Sequence, residues 1–203
     1  MQEIDAVVRA IVAATDSAPE DASWVSWPSP ILCAIDCLLS LDPRDRGWVE
    51  EHVRRLQSPD PYYGTLETVG WCAAHFPSME NFFRFELKDE TARRAELFLP
   101  LVNALIDLKR GFPGATEGER LRAWAAVASP MESSVGAFRG LGVIGFQRLR
   151  RLLGADAAIP TEAMAAFVGR TVGRPVEMAE AAFLLERAAG RLGYDPESIP
   201  YDG

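Results

Sequence analysis

The chain has little of what most site chemistries need. Its three cysteines, Cys33, Cys37 and Cys72, are an odd number that suggests no disulfide framework and points to a reducing cytoplasm. Its two histidines, His52 and His75, cannot be assembled into a serine–histidine–aspartate nucleophile. No uninterrupted apolar run reaches the ~18 residues of a membrane span. The opening MQEIDAVVRAIVAA carries acids where a secretory leader carries bases. No segment alternates as a strand does, so there is no βαβ unit for a dinucleotide, and no Walker-type phosphate loop occurs. Positive charge is also short. A net charge of -8 argues against a generic nucleic-acid binder, because neutralising phosphates needs Lys and Arg.

What is present is apolar residues at helical spacing. At 203 residues and 48% hydrophobic, the chain can bury a core as one domain, 1–203, or as two small lobes sharing a core. The spacing predicts helices over 4–14, 31–41, 46–56, 66–76, 89–109, 121–127, 162–169 and 176–192, with one more after the glycines at 140–142 and a short aromatic segment at 79–85. The fold class is therefore all-α, with about ten helices. The 31–41 segment is apolar nearly all round and reads as a central buried helix, with Ser29 as N-cap and Pro30 at its first position. Trp24 and Trp27 are expected to pin the proline-rich loop before it. Pro100 should kink or restart the long 89–109 run.

The locally distinctive stretch is 138–167, FRGLGVIGFQRLRRLLGADAAIPTEAMAAF. Between Phe138 and Gly154 it holds Arg139, Arg148, Arg150 and Arg151 and no acid. Gly140-Leu141-Gly142 reads as a hairpin at about 134–154 that lets the backbone approach a ligand. The helix that follows offers free N–H groups to an anion. Arginines further along add charge-assisted bonds to phosphate oxygens. This suits a nucleic-acid backbone held without reading its sequence. The plain alternative is a helical turn followed by a solvated basic face.

Phe138-Arg139-Gly140-Leu141-Gly142, with Gly145-Phe146, Leu149 to Gly154, Ile159-Pro160 and Phe167-Val168, resembles the helix-hairpin-helix (HhH-GPD) DNA glycosylase superfamily. The similarity is to endonuclease-III-like base-excision proteins, and within them to divergent bacterial members without an iron–sulfur cluster. The resemblance implies a two-lobed helical fold. It also implies contact with double-stranded or damaged DNA through Arg139, Gly140, Gly142, Gly145 and Arg148, and a nucleotide flipped between the lobes.

The same register places the family's essential carboxylate at Thr161 and its histidine at Ala163. Neither group is present, nor is the lysine that some members carry near Ile144. A threonine cannot stabilise an oxocarbenium ion as a carboxylate does. Glu162 is one residue along, ~100° round a helix. Thr161-Glu162 therefore reads as a helix start, with Thr161 as cap, or as a displaced acid at Glu162. Asp36, in an apolar helix, must be paired or functional. Cys33 and Cys37 (i, i+4) with Cys72 and His75 (i, i+3) could hold zinc only if two helices met. Buried thiols are the simpler reading. No cysteine follows Cys72 to hold a cluster. His52 reads as solvated. Phe82, Phe83, Phe85 and Trp71 are candidates to stack a base, with the core as the alternative.

Three functions follow as expectations. The first is a DNA-binding protein of base-excision ancestry without ordinary N-glycosylase activity. The second is an active glycosylase whose acid has moved to Glu162 or Asp36. The third is a structural or partner-binding module on the same fold, favoured by the acidic balance.

Overall fold

Apolar side chains three and four apart bury one stripe of a helix, and this pattern shapes nearly the whole chain. The computed structural model describes residues 2–15, 26–42, 45–57 and 63–201. Among these it has ten α-helices and no strand. They are α1 (Gln2–Ala14), α2 (Pro30–Leu39), α3 (Arg46–Arg55), α4 (Thr68–His75), α5 (Met79–Glu86), α6 (Ala92–Lys109), α7 (Glu117–Val127), α8 (Gly142–Leu152), α9 (Glu162–Val172) and α10 (Met178–Leu192). Trp24 lies outside the described residues, as does the side chain of Trp71.

Buried apolar residues form two cores. The larger is built around α2, every residue of which is buried. It gathers α3, α6, α7 and one face of α8. The smaller holds Val7 and Ile11 of α1, Met164 and Val168 of α9, and the inner face of α10. Asp36 sits in the larger core with no exposure, and it is paired. Arg46 grips both of its oxygens at 2.6 and 2.7 Å. Trp27 donates from Nε1 at 2.6 Å, which fastens the loop before α2, and Ser40 donates at 3.2 Å. Phe82 and Phe83 are core residues, the first stacked on Phe98 and the second meeting it edge-on, whereas Phe85 is exposed.

Three local features differ from the simplest expectation. α6 does not restart at Pro100 but continues through it. The proline lies on the exposed face, beside exposed Glu96, while Phe98, Leu101, Val102 and Leu105 hold the helix in the core. His52 is buried rather than solvated: its ring stacks on Trp48 at 3.8 Å, and Nδ1 lies 2.8 Å from the Trp48 carbonyl. Ser29 does not cap α2 with its side chain but donates to the Tyr63 carbonyl at 2.6 Å.

The link from α5 to α6 is strained and charged. Lys88 takes φ 52°, the only left-handed non-glycine among the described residues. Its turn lets the Asp89 amide bond back to the Phe83 carbonyl at 3.0 Å. Asp89 and Arg94 are both almost fully buried and meet at 2.6 Å, and Arg94 also reaches Asp42. Burial opposes ionisation of Asp89. The bonds from Arg94 and Thr91 outweigh it and hold the carboxyl below the usual range.

Lys88→Gly should raise stability by about 1 kcal/mol, read as a higher urea midpoint, because glycine takes the left-handed turn without a Cβ penalty. The stability contributed by Asp89 is fully present above its unfolded pKa, ~3.9, and is lost as pH falls through its depressed folded value. Asp89→Asn should therefore be less stable than the parent at neutral pH, and the gap should narrow in acid-titrated urea melts.

Candidate nucleic-acid interface

The glycine turn is exposed at its tip and fixed at its base. Gly142 takes φ +65°, and beyond its chain neighbours and its own helix backbone no atom lies within 4 Å of where its Cβ would stand. The turn enters α8 with Leu141 as N-cap and no side chain on the first amides, and no acid stands in the first turn. Before the turn the chain makes short 3-10 turns at Pro130–Ser134 and Gly136–Gly140. The element leading into the hairpin is thus not an α-helix. Gly140 packs so close to Leu97 that a Cβ would lie 2.1 Å from its Cδ2.

The arginines divide by role. Arg139 is exposed and has no hydrogen bond or ion pair among the described residues. Arg148 is half-buried, and its Nη1 donates to the Ser40 carbonyl at 2.9 Å. That carbonyl lies at the C-terminus of α2, where a cation complements the helix dipole. Arg150 and Arg151 are buried. Arg150 binds Glu186 of α10 at 3.0 Å, Gln147 at 2.7 Å and the Ala125 carbonyl at 2.9 Å. Arg151 grips Asp195, with Nη1 to Oδ1 at 2.8 Å. The basic face read from the sequence is therefore reduced to Arg139, and Arg148 is corrected from a phosphate contact to a cap on α2.

Gly145 is also corrected. It is buried, its carbonyl accepts from the Cys37 thiol at 3.2 Å, and a Cβ there would lie 2.7 Å from Leu41. It lets α8 approach α2 and offers nothing to a nucleic acid. Gly140, Gly142 and Gly145 have the spacing of a dinucleotide fingerprint, but a 3-10 turn precedes them where that motif has a strand.

One residue at the turn is missed by the sequence reading. Arg93, at the start of α6, is exposed and donates to the Gly140 carbonyl at 3.2 Å. It has no ion pair among the described residues. It lies 47 positions from Gly140, and no local rule separates it from its buried neighbour Arg94.

Thr161 is the N-cap of α9: its hydroxyl accepts from the Met164 amide at 3.1 Å. Glu162 is exposed in the first turn, where a negative charge suits the dipole. This is the helix-start reading. Asp36 has its oxygens filled by Arg46, Trp27 and Ser40 and is a structural carboxylate. The cysteines are buried. Cys33 donates to the Leu152 carbonyl at 3.3 Å. Burial, with the Asp36 charge adding, pushes the Cys33 thiol up to about 12, and burial raises Cys72 to about 11. His75 is exposed at the end of α4. Among the described residues no group of three or more His, Cys, Asp or Glu is placed to hold a metal ion.

Comparison with family models, with curated proteins and with solved structures gave no match.

The two arginines should separate in thermal melts. Arg148→Glu removes the cap on α2 and sets an acid against a helix C-terminus, and should cost about 1–2 kcal/mol. Arg139→Glu should stay within about 0.5 kcal/mol of the parent.

Proposed function

We propose that the chain grips the sugar–phosphate backbone of duplex DNA at the glycine turn and does not remove bases. Arg139 and Arg93, exposed and without carboxylate partners, flank the open Gly142 at an uncapped helix start. This juxtaposition is the observation that carries the reading. The amides and the two guanidinium groups can both donate to phosphate oxygens. The resemblance to helix-hairpin-helix DNA glycosylases supports the same use of the turn. Thr161 used as a cap, and Asp36 used as an ion-pair partner, support binding without base release.

Two phosphate contacts are few. They give a salt dependence with a log–log slope of about −2 and an affinity in the weak, sequence-independent range, on the order of 10 µM. A second reading draws on a different fact. The net charge is -8, and Arg148, Arg150 and Arg151 are turned into the fold; an acidic surface with so few free arginines favours a partner-binding module on the same frame.

Fluorescence anisotropy with a short duplex, intact or carrying an abasic analogue, tests the choice. Binding at low salt that weakens at least fivefold in Arg139→Glu, and further in the double variant with Arg93→Glu, is the expected result. No binding by the parent at low salt leaves the partner-binding module. Base release from alkylated or deaminated DNA that disappears in Glu162→Gln would establish a relocated acid instead.

A further inference from the structure

A second site lies away from the glycine turn, where α7 ends and α10 passes beside it. A cavity of about 730 Å³ opens there, lined in part by Ile4, Val127, Arg150, Phe183, Glu186 and Arg187. Its size is that of a small-molecule site. Three of these lining groups are charged and three are apolar.

Arg150 is 3% exposed, yet its guanidinium is incompletely satisfied. Nε donates to the Ala125 carbonyl, and Nη1 is shared by Gln147 and Glu186. Nη2 has no acceptor among the described residues. It also differs from the Nε atoms of Arg94 and Arg148, which are sealed in the interior without a partner. As Arg150 lines the cavity, that open side is where a ligand's acceptor fits. A buried guanidinium with a free edge is a strong donor, because little water competes for it. Burial also holds the Glu186 carboxyl above its usual range despite the bonds from Arg150, Gln147 and the Ala158 amide, a further sign of a poorly hydrated floor.

The rim supplies a second cation and a flat wall. The Arg187 guanidinium lies 5.4 Å over the Phe183 ring and has no ion pair among the described residues. The neighbouring Arg191 is bonded to Asp5, and Asp156 is an acid on the rim. We infer that the cavity binds a small organic oxyanion, one with a single negative charge and a flat apolar body. Its oxygens accept from Arg150 Nη2 and from Arg187, and its body lies against Phe183, Ile4 and Val127. A second negative charge would meet Glu186 and Asp156, which sets the preference for a monoanion.

Carboxylates and phosphates share this head-group chemistry. The test titrates the full chain with benzoate, with inorganic phosphate and with benzylamine, and follows backbone amides by two-dimensional NMR. Benzoate should move the amides of 126–129 and 183–191 saturably. Its affinity should fall at least tenfold in Arg187→Glu and severalfold in Phe183→Leu. Neither change touches a buried pair, so both variants keep the fold. Saturation by phosphate but not by benzoate would overturn the flat apolar body and the preference for a single charge. The inference is overturned if neither anion moves these amides, if benzylamine moves them as strongly as benzoate, or if Arg187→Glu binds benzoate like the parent. None of these outcomes involves Arg93 or Arg139, so the DNA reading stands or falls separately.

Discussion

Two guanidinium groups on one helix hold the halves of this molecule together. α8 puts Phe146, Leu149 and Leu152 into the larger core. Between those positions it puts Gln147, Arg150 and Arg151 toward the smaller one. The seam between the cores is therefore polar on the α8 side and is closed by Glu186 and Asp195. Desolvating these charges offsets much of their attraction, so the pairs add little net stability over an apolar seam. Losing one partner is another matter, and costs about 3–5 kcal/mol. Forked, planar bonds also fix an angle as apolar contact does not. The segment between α8 and α9 depends on the same set, because the Ala158 amide and carbonyl bind Glu186 and Gln147.

This seam explains which parts of the fold were legible in the sequence. Nine of the ten helices were, because each carries an apolar stripe whose period is local; α5, eight residues long and crowded with phenylalanines, shows only as a short aromatic segment. The Thr161 cap was, because a capping hydroxyl answers to an amide three residues away. Asp36 was legible only as either paired or functional, since a lone charge is not tolerated in so apolar a helix. Its partner Arg46 was not, since pairing across a loop leaves no periodic trace. The arginines of α8 deceived for the same reason. Polar residues on an amphipathic helix look alike whether they meet water or a carboxylate 36 or 44 residues on.

The glycine turn is thus more modest than its sequence suggests, and better defined. Gly140 and Gly145 are small because Leu97 and Leu41 press on them. Gly142 alone has open space around it. The charge at the turn comes from Arg139 within the motif and from Arg93, delivered by a helix far away in sequence. The cavity beside α10 has a similar origin. It draws on α1, α7, α8 and α10, and no one of these segments shows a motif for it.

The cysteines carry a consequence of their own. Cys33, Cys37 and Cys72 all belong to the larger core, and the smaller has none. Burial keeps each as a thiol, and two of them are bonded to carbonyls of α8. A thiol-modifying reagent can reach them only when the larger core opens. The rate of labelling is then a clock for that half alone, and the other half can breathe without moving its hands.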